Sequence, residues 1–240
     1  LDESARSAIT VAVTCGTAGV IVGVVTMTGL GLKMADGLIQ LAGGSLLLTM
    51  VFTMLSSIVL GMGVPTTANY IIQATISAPA LVALGVPPIA AHMFVFYFGI
   101  VADITPPVAL AAFAGAGISG GDPMKTGFNA TRLGIAAYIA PYMLVYNPIL
   151  VLVNVEGYST GIFVLMVLKS TFTAIVGMGG LATGFTGYLK TNCKIWERII
   201  LIVGGLLLVD PGTVTDITGA ALMVAVYLAQ RRRIGKAAIS

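Results

Sequence analysis

Charge is what this sequence has least of. Only 9% of its 240 residues are Asp, Glu, Lys or Arg, and there is one His, one Trp and two Cys. A soluble domain carries about a quarter charged residues, so the chain has no room for a water-facing globular domain. His92, Cys15 and Cys193 stand without metal-ligand spacing, which excludes a zinc site and leaves free thiols as the expectation. The net charge of +3 falls at the ends of apolar runs rather than on one face, so no nucleic-acid partner is expected. The charged patch Asp2-Glu3-Ser4-Ala5-Arg6 precedes the first apolar run without a small-residue cleavage pattern, so this run is not a signal peptide.

What is there is apolar. Hydrophobic residues make up 58% of the chain and the mean hydropathy is +1.03. Runs of roughly 20 apolar residues recur without strand-like alternation, which predicts an all-α, polytopic membrane protein rather than a barrel. The 30 glycines lie inside these runs, where they suit closely packed or unwound helices.

In order, Ser7 to Leu32 reads as a first span, with the small residues Thr14 to Gly19 at its centre and Lys33 and Asp36 in a polar exit. Residues 43–84 read as two apolar arms, 43–60 and 67–84, joined by Gly61-Met62-Gly63-Val64-Pro65-Thr66. That joint carries no charge, which predicts a re-entrant helical hairpin with its tip inside the membrane. The arms are about 18 residues, or about 27 Å, so length alone also allows two full spans. Asn69 and Gln73 continue a polar stripe away from the tip.

Residues 89–120 read as one broken helix, interrupted at Asp103-Ile104-Thr105-Pro106-Pro107. The prolines lack N–H donors, so carbonyls in the preceding turn must find other partners. A long span, kinked at Pro141, is expected up to Val153, with a polar turn at Glu156 to Ser159. Tyr158 to Leu168 is expected to lie in the interface, followed by a span over 170–189 and a hairpin of short spans, 199–209 and 217–229. Residues 1–153 form the transport and scaffold region on this reading, and 154–240 are accessory helices. The basic run Arg231-Arg232-Arg233 and Lys236 predicts a cytoplasmic C-terminus.

Two breaks in membrane helices supply exposed helix ends. N–H groups at Thr66 to Asn69 and Val108 to Leu110 suit an anionic solute, and carbonyls around Gly61, Gly63 and Ala102 suit a hard cation. Sodium as coupling ion is expected to use Gly61, Thr66, Asp103 and Thr105. The full candidate set for solute and ion is Gly61, Gly63, Pro65, Thr66, Thr67, Asn69, Ala102, Asp103, Thr105, Pro106 and Pro107. Other roles remain open for these residues. Thr66 is equally placed to cap the next helix, and Asp103 to lie solvated at an interface. His92 reads as a hydrogen-bonded histidine, Lys169 as a snorkelling side chain and the Arg231 run as a topology anchor. An intramembrane enzyme using Asp103 ranks low without a second carboxylate, a metal motif or an activated nucleophile, so no catalytic activity and no cofactor are expected. A non-transporting scaffold subunit is the other alternative.

LGMGVPTTANY (60–70), APALVALGVPPIAAHMFVFYFG (78–99) and ADITPPVALAAFAGA (102–116) resemble the large membrane subunit of tripartite ATP-independent periplasmic (TRAP) transporters, especially fused permeases of the TAXI branch. GFNATRLG, GYLK and WERIILIVGGLLL extend the similarity. The resemblance implies half of an inverted-repeat, elevator-type transporter that takes up organic anions, commonly carboxylates, with sodium. It implies a bacterial or archaeal cytoplasmic membrane, a periplasmic solute-binding protein, a small membrane subunit that is often fused, and an N-terminal half of the permease as partners. The chain is accordingly expected to be a C-terminal half. It departs from many relatives at Pro65, where they carry Asp, and at Ala109, where they carry Gly; Asp103 is placed to compensate for the lost ligand.

Overall fold

Glycine and proline decide where the helices of this chain stop. The computed structural model describes every residue except Leu1, Gly63, Val155, Glu156, Pro211 and Ala238–Ser240, and also leaves undescribed the side chains of 2–8, 10, 11, 14, 15, 18 and 234–237. The expectations for Gly63, Glu156, Lys236 and the thiol of Cys15 therefore lie outside what is described. Among the described residues everything regular is helical, apart from one isolated bridge between Tyr188 and Asn192. Internal contacts divide the chain into two units, Leu1–Thr131 and Arg132–Ser240.

In the first unit, α1 (Asp2–Thr28) does not end in a polar exit. Gly29 takes a left-handed φ of 64°, a conformation glycine adopts without penalty, and turns the chain by 76° into α2 (Leu30–Leu41). Lys33 and Asp36 are exposed on α2, and Gly31 and Ala35 are buried. The first hairpin arm is α3 (Leu46–Gly61). The second is not one helix but two, α4 (Thr66–Ile76) and α5 (Ala78–Ala83), parted at Ser77. The cause is Pro79, which has no N–H to donate to the carbonyl of Thr75. That carbonyl lies where a side chain on Gly31 would be, 2.6 Å from a Cβ placed there, so α2 and α4 approach through Gly31. Then come α6 (Pro88–Val101), a 3-10 turn at Ala102–Ile104, α7 (Leu110–Ser119) and α8 (Pro123–Leu133).

In the second unit, α9 (Ile135–Tyr146) starts after Gly134 and carries Pro141 inside it, so the expected long span is interrupted at Gly134 rather than at the proline. A 3-10 turn, Pro148–Val151, follows. The largest departure is α10 (Thr160–Thr186), one helix of 27 residues where an interfacial segment and a separate span were expected. No Pro interrupts it, and Lys169 is a good helix former whose charge meets Asp216 at 2.8 Å instead of snorkelling alone. The last hairpin is α11 (Ile195–Val209) and α12 (Thr213–Ala237).

Close glycine contacts hold this bundle together. A Cβ on Gly177 of α10 would meet the carbonyl of Gly205 of α11 at 2.9 Å, and one on Gly204 would meet that of Gly219 of α12 at 3.1 Å. Small residues let helix backbones approach where lipid offers no hydrophobic drive. Among the described residues two helices, Thr160–Thr186 and Thr213–Arg233, are long and apolar enough to cross a membrane, or three spans if the bent pair around Gly29 counts as one. Shorter apolar helices include α3, α7 and α9. The expected all-α, polytopic membrane fold is what the chain adopts.

At one end of the α11–α12 hairpin, Glu197 is 2% exposed and fully engaged. It accepts hydrogen bonds from the Lys194 N–H at 2.8 Å and Gln230 Nε2 at 3.0 Å, and pairs with Arg233 Nη1 at 3.2 Å. Arg233 also donates to Thr191 Oγ1 and the Asn192 carbonyl. Of the basic run's described side chains, then, Arg231 and Arg232 are exposed charges and Arg233 is a structural tie. Removing one partner of a buried pair strands the other, at a cost of roughly 3 kcal/mol. Glu197→Ala should therefore lower the thermal unfolding midpoint of the purified protein clearly, while Arg232→Ala leaves it unchanged.

Candidate functional site

The polar residues of the first unit are stacked, not scattered. Thr49, Thr53 and Ser57 recur every fourth residue of α3, and Asn69, Gln73 and Ser77 do so along α4 to its end. All six are almost wholly buried. Ser57 Oγ donates to Gln73 Oε1 at 3.1 Å, and Gln73 Nε2 donates to the Ser57 carbonyl at 3.0 Å and to Asn69 Oδ1 at 3.3 Å. This pairing sets the antiparallel register: Ser57 opposes Gln73 and Gly61 opposes Asn69.

Asn69 is where the hairpin meets the broken helix. A Cβ on Gly61 would come within 2.8 Å of Asn69 Nδ2, 2.9 Å of Ala102 Cβ and 3.1 Å of the Gly99 carbonyl. A Cβ on Gly99 would collide with the same amide nitrogen. The Asn69 amide thus fills the space that two missing side chains leave, and the end of α3 packs against the end of α6. Of the expected site residues, the structure brings Gly61, Asn69 and Ala102 together here. Pro65, Thr66 and Thr67 lie on an exposed rim.

Thr66 is the first residue of α4, not its cap; the capping position is Pro65, which makes no side-chain bond. Asn69 N–H donates to the Pro65 carbonyl at 3.0 Å, and the N–H groups of Thr66, Thr67 and Ala68 precede the first intrahelical bond. The start of α7 is likewise uncapped: Ala109 holds φ 35°, a left-handed value that favours glycine, and makes no side-chain bond.

The interruption between these helices has its own wiring. Thr105 Oγ1 donates to the Val101 carbonyl at 2.7 Å and Thr105 N–H to that of Ala102 at 3.1 Å. The Ile104 carbonyl accepts from Thr131 Oγ1 of α8 at 2.9 Å. Pro106 and Pro107 are joined by a cis peptide bond, and Pro106 packs so tightly on α8 that a Cβ on Gly127 would lie 3.1 Å from its ring. Asp103 is half-buried, and its carboxylate has no hydrogen-bond or ion-pair partner among the described residues. This arrangement offers carbonyl, hydroxyl and carboxylate oxygens beside free helix N–H groups, a donor set for a small hard cation and an anion. No group of three or more His, Cys, Asp or Glu that could hold a metal occurs among the described residues.

His92 accepts or donates a hydrogen bond with Tyr70 OH at 3.2 Å, as expected of a lone histidine in a packed helix. Sequence reasoning missed Ser57, Thr53, Ser77, Gly99 and Thr131. Their signal was the fourth-residue spacing of hydroxyls in α3 and the GFNATRLG stretch, which contains both Gly127 and Thr131.

The hydroxyls of Thr53 and Ser77 are buried without a partner among the described residues, in contrast to Ser57. An unmade hydrogen bond carries a desolvation cost, whereas an isosteric apolar group in the same place carries none. Thr53→Val should therefore leave the thermal midpoint unchanged or raise it, and Ser57→Ala, which leaves the buried Gln73 Oε1 without its donor, should cost roughly 1–3 kcal/mol. Melting curves of the two variants check both signs.

Residues 1–159 match the family model described as tripartite ATP-independent periplasmic transporter, DctM component. No curated protein and no solved structure matches the chain. With membrane helices that stop at a shared break and a family match over most of its length, the chain belongs to the DctM, or large permease, family of TRAP transporters.

Proposed function

We propose that this chain is the part of a TRAP permease that carries the solute and its coupling ion: a small organic anion, a carboxylate by chemistry, taken up with sodium across the cytoplasmic membrane by an elevator-type movement. Membership of a tripartite family supports work with a periplasmic solute-binding protein and a small membrane subunit. The resemblance to fused TAXI-branch permeases supports an additional N-terminal half as the other partner, and the basic run around Arg231 supports a cytoplasmic C-terminus.

The observation that carries the reading is the convergence of the α3 end and the α6 break on Asn69. Opened backbone within a membrane is tolerated where it is buried in protein or lines a cavity, and in transporters that is where ions and solutes bind. On this reading the Asp103 carboxylate, unpaired among the described residues, is the charge that a sodium ion completes. The Thr105 oxygen, whose proton is given to Val101, and the Gly61 and Ala102 carbonyls supply neutral ligands. The uncapped starts of α4 and α7 face the carboxylate of the solute. The uncharged tip and the short apolar arms support a hairpin that enters and leaves the membrane on one side.

The full-length permease, reconstituted with its binding protein, should take up solute only with an inward sodium gradient. A lost charged ligand is worth roughly 1.5–3 kcal/mol, so Asp103→Asn should lower uptake about tenfold or more. Uptake indifferent to both the gradient and the substitution contradicts sodium coupling at this site.

A further inference from the structure

The second unit contains a cavity that the transport site does not explain. It has a volume of about 210 Å³, and its walls include Lys169, Ser170 and Thr173 of α10, Asp216 of α12, Asn147 and Tyr158. Its charged residues, Lys169 and Asp216, lie beyond the residues the family model matches, as do Ser170 and Thr173. Ionisable side chains in membrane helices are costly and mark functional positions by default. Here two of them, opposite in sign, border one cavity.

Lys169 Nζ lies 2.8 Å from Asp216 Oδ2, with side-chain exposures of 41% and 14%. A lysine ammonium has three N–H donors and a carboxylate two oxygens, so among the described residues this contact leaves two donors and one acceptor oxygen unused. Asp216 is in the first turn of α12, shortly after the end of α11 at Val209. The cavity therefore opens at one end of the α10–α12 bundle, where membrane helices pass from hydrocarbon to headgroups. The rest of its wall includes aliphatic side chains such as Ile149, Leu150 and Leu208.

We propose that this cavity binds the headgroup of an ethanolamine phospholipid. Its phosphate meets the free N–H groups of Lys169 and the Ser170 hydroxyl, and its primary ammonium donates to the free oxygen of Asp216. The two ion pairs then lie head to tail and the complex stays neutral. A choline headgroup has the same charges but no N–H to donate, and a glycerol headgroup has no cation, so both fit worse.

The test is native mass spectrometry of the full chain released from nanodiscs made of equal ethanolamine, choline and glycerol phospholipids. Ethanolamine lipid should be retained about tenfold over the other two, a preference worth one decade of affinity. Lys169→Gln and Asp216→Asn should each abolish the preference, and Lys169→Arg should keep it. Independently of any variant, stepwise N-methylation of the ethanolamine lipid should weaken retention at each step on the wild-type chain. Equal retention across the methylation series, or a preference intact in both Lys169→Gln and Asp216→Asn, overturns the proposal.

Discussion

The Asn69 amide is the contact on which the first unit turns. It occupies the space left by two glycines, Gly61 at the end of α3 and Gly99 two residues before the end of α6, and it is held from behind by Gln73, which Ser57 holds in turn. Each step is a buried hydrogen bond or a close contact with no slack. The position of the hairpin end relative to the broken helix is therefore set by a short chain of polar side chains rather than by apolar packing alone. A satisfied polar chain specifies one arrangement, because any slip leaves a buried amide unpaired.

That constraint explains why the neighbouring backbone can be left open. The last turns of α6 and the start of α7 lose helical hydrogen bonds at Pro106 and Pro107, and they are held instead by Thr105, by Thr131 from α8 and by Gly127 against the Pro106 ring. With the frame fixed from two sides, the Asp103 carboxylate stands without a partner among the described residues. The second unit uses a different device: backbones in direct contact through glycines, with a tied cluster of charges around Glu197 at one end and an ion pair, Lys169 with Asp216, toward the other.

How far the chain could be read in advance follows from what carried each feature. The membrane class and helical fold lay in composition, and the breaks at Gly61 to Thr66 and Asp103 to Pro107 lay in local glycine, proline and charge, all visible along the chain. The 76° bend at Gly29 was read as an end because a glycine that stops a helix and one that redirects it look alike. The break at Ser77 had a local signal in Pro79, overlooked inside an apolar run. The single helix Thr160–Thr186 was split on paper because Lys169 looked like an interface marker; its neutralising partner is on another helix, and pairing across helices leaves no local trace. Arg233 looked like a topology charge for the same reason. Among the site residues, Asn69 was legible as polar in an apolar stretch, but that Gly99 makes room for it is a fact of three dimensions.

The most direct measurement of the central claim is a double-mutant cycle between Asn69 and Gly99, read by thermal midpoint and by solute uptake of the full-length permease. Gly99→Ala puts a methyl where the Asn69 amide lies, and Asn69→Ala removes that amide. If the amide links hairpin and broken helix, each single substitution impairs both readouts and the double variant is no worse than the worse single one, a coupling of roughly 0.5–3 kcal/mol. Strictly additive losses, or a Gly99→Ala protein with wild-type stability and uptake, would contradict it.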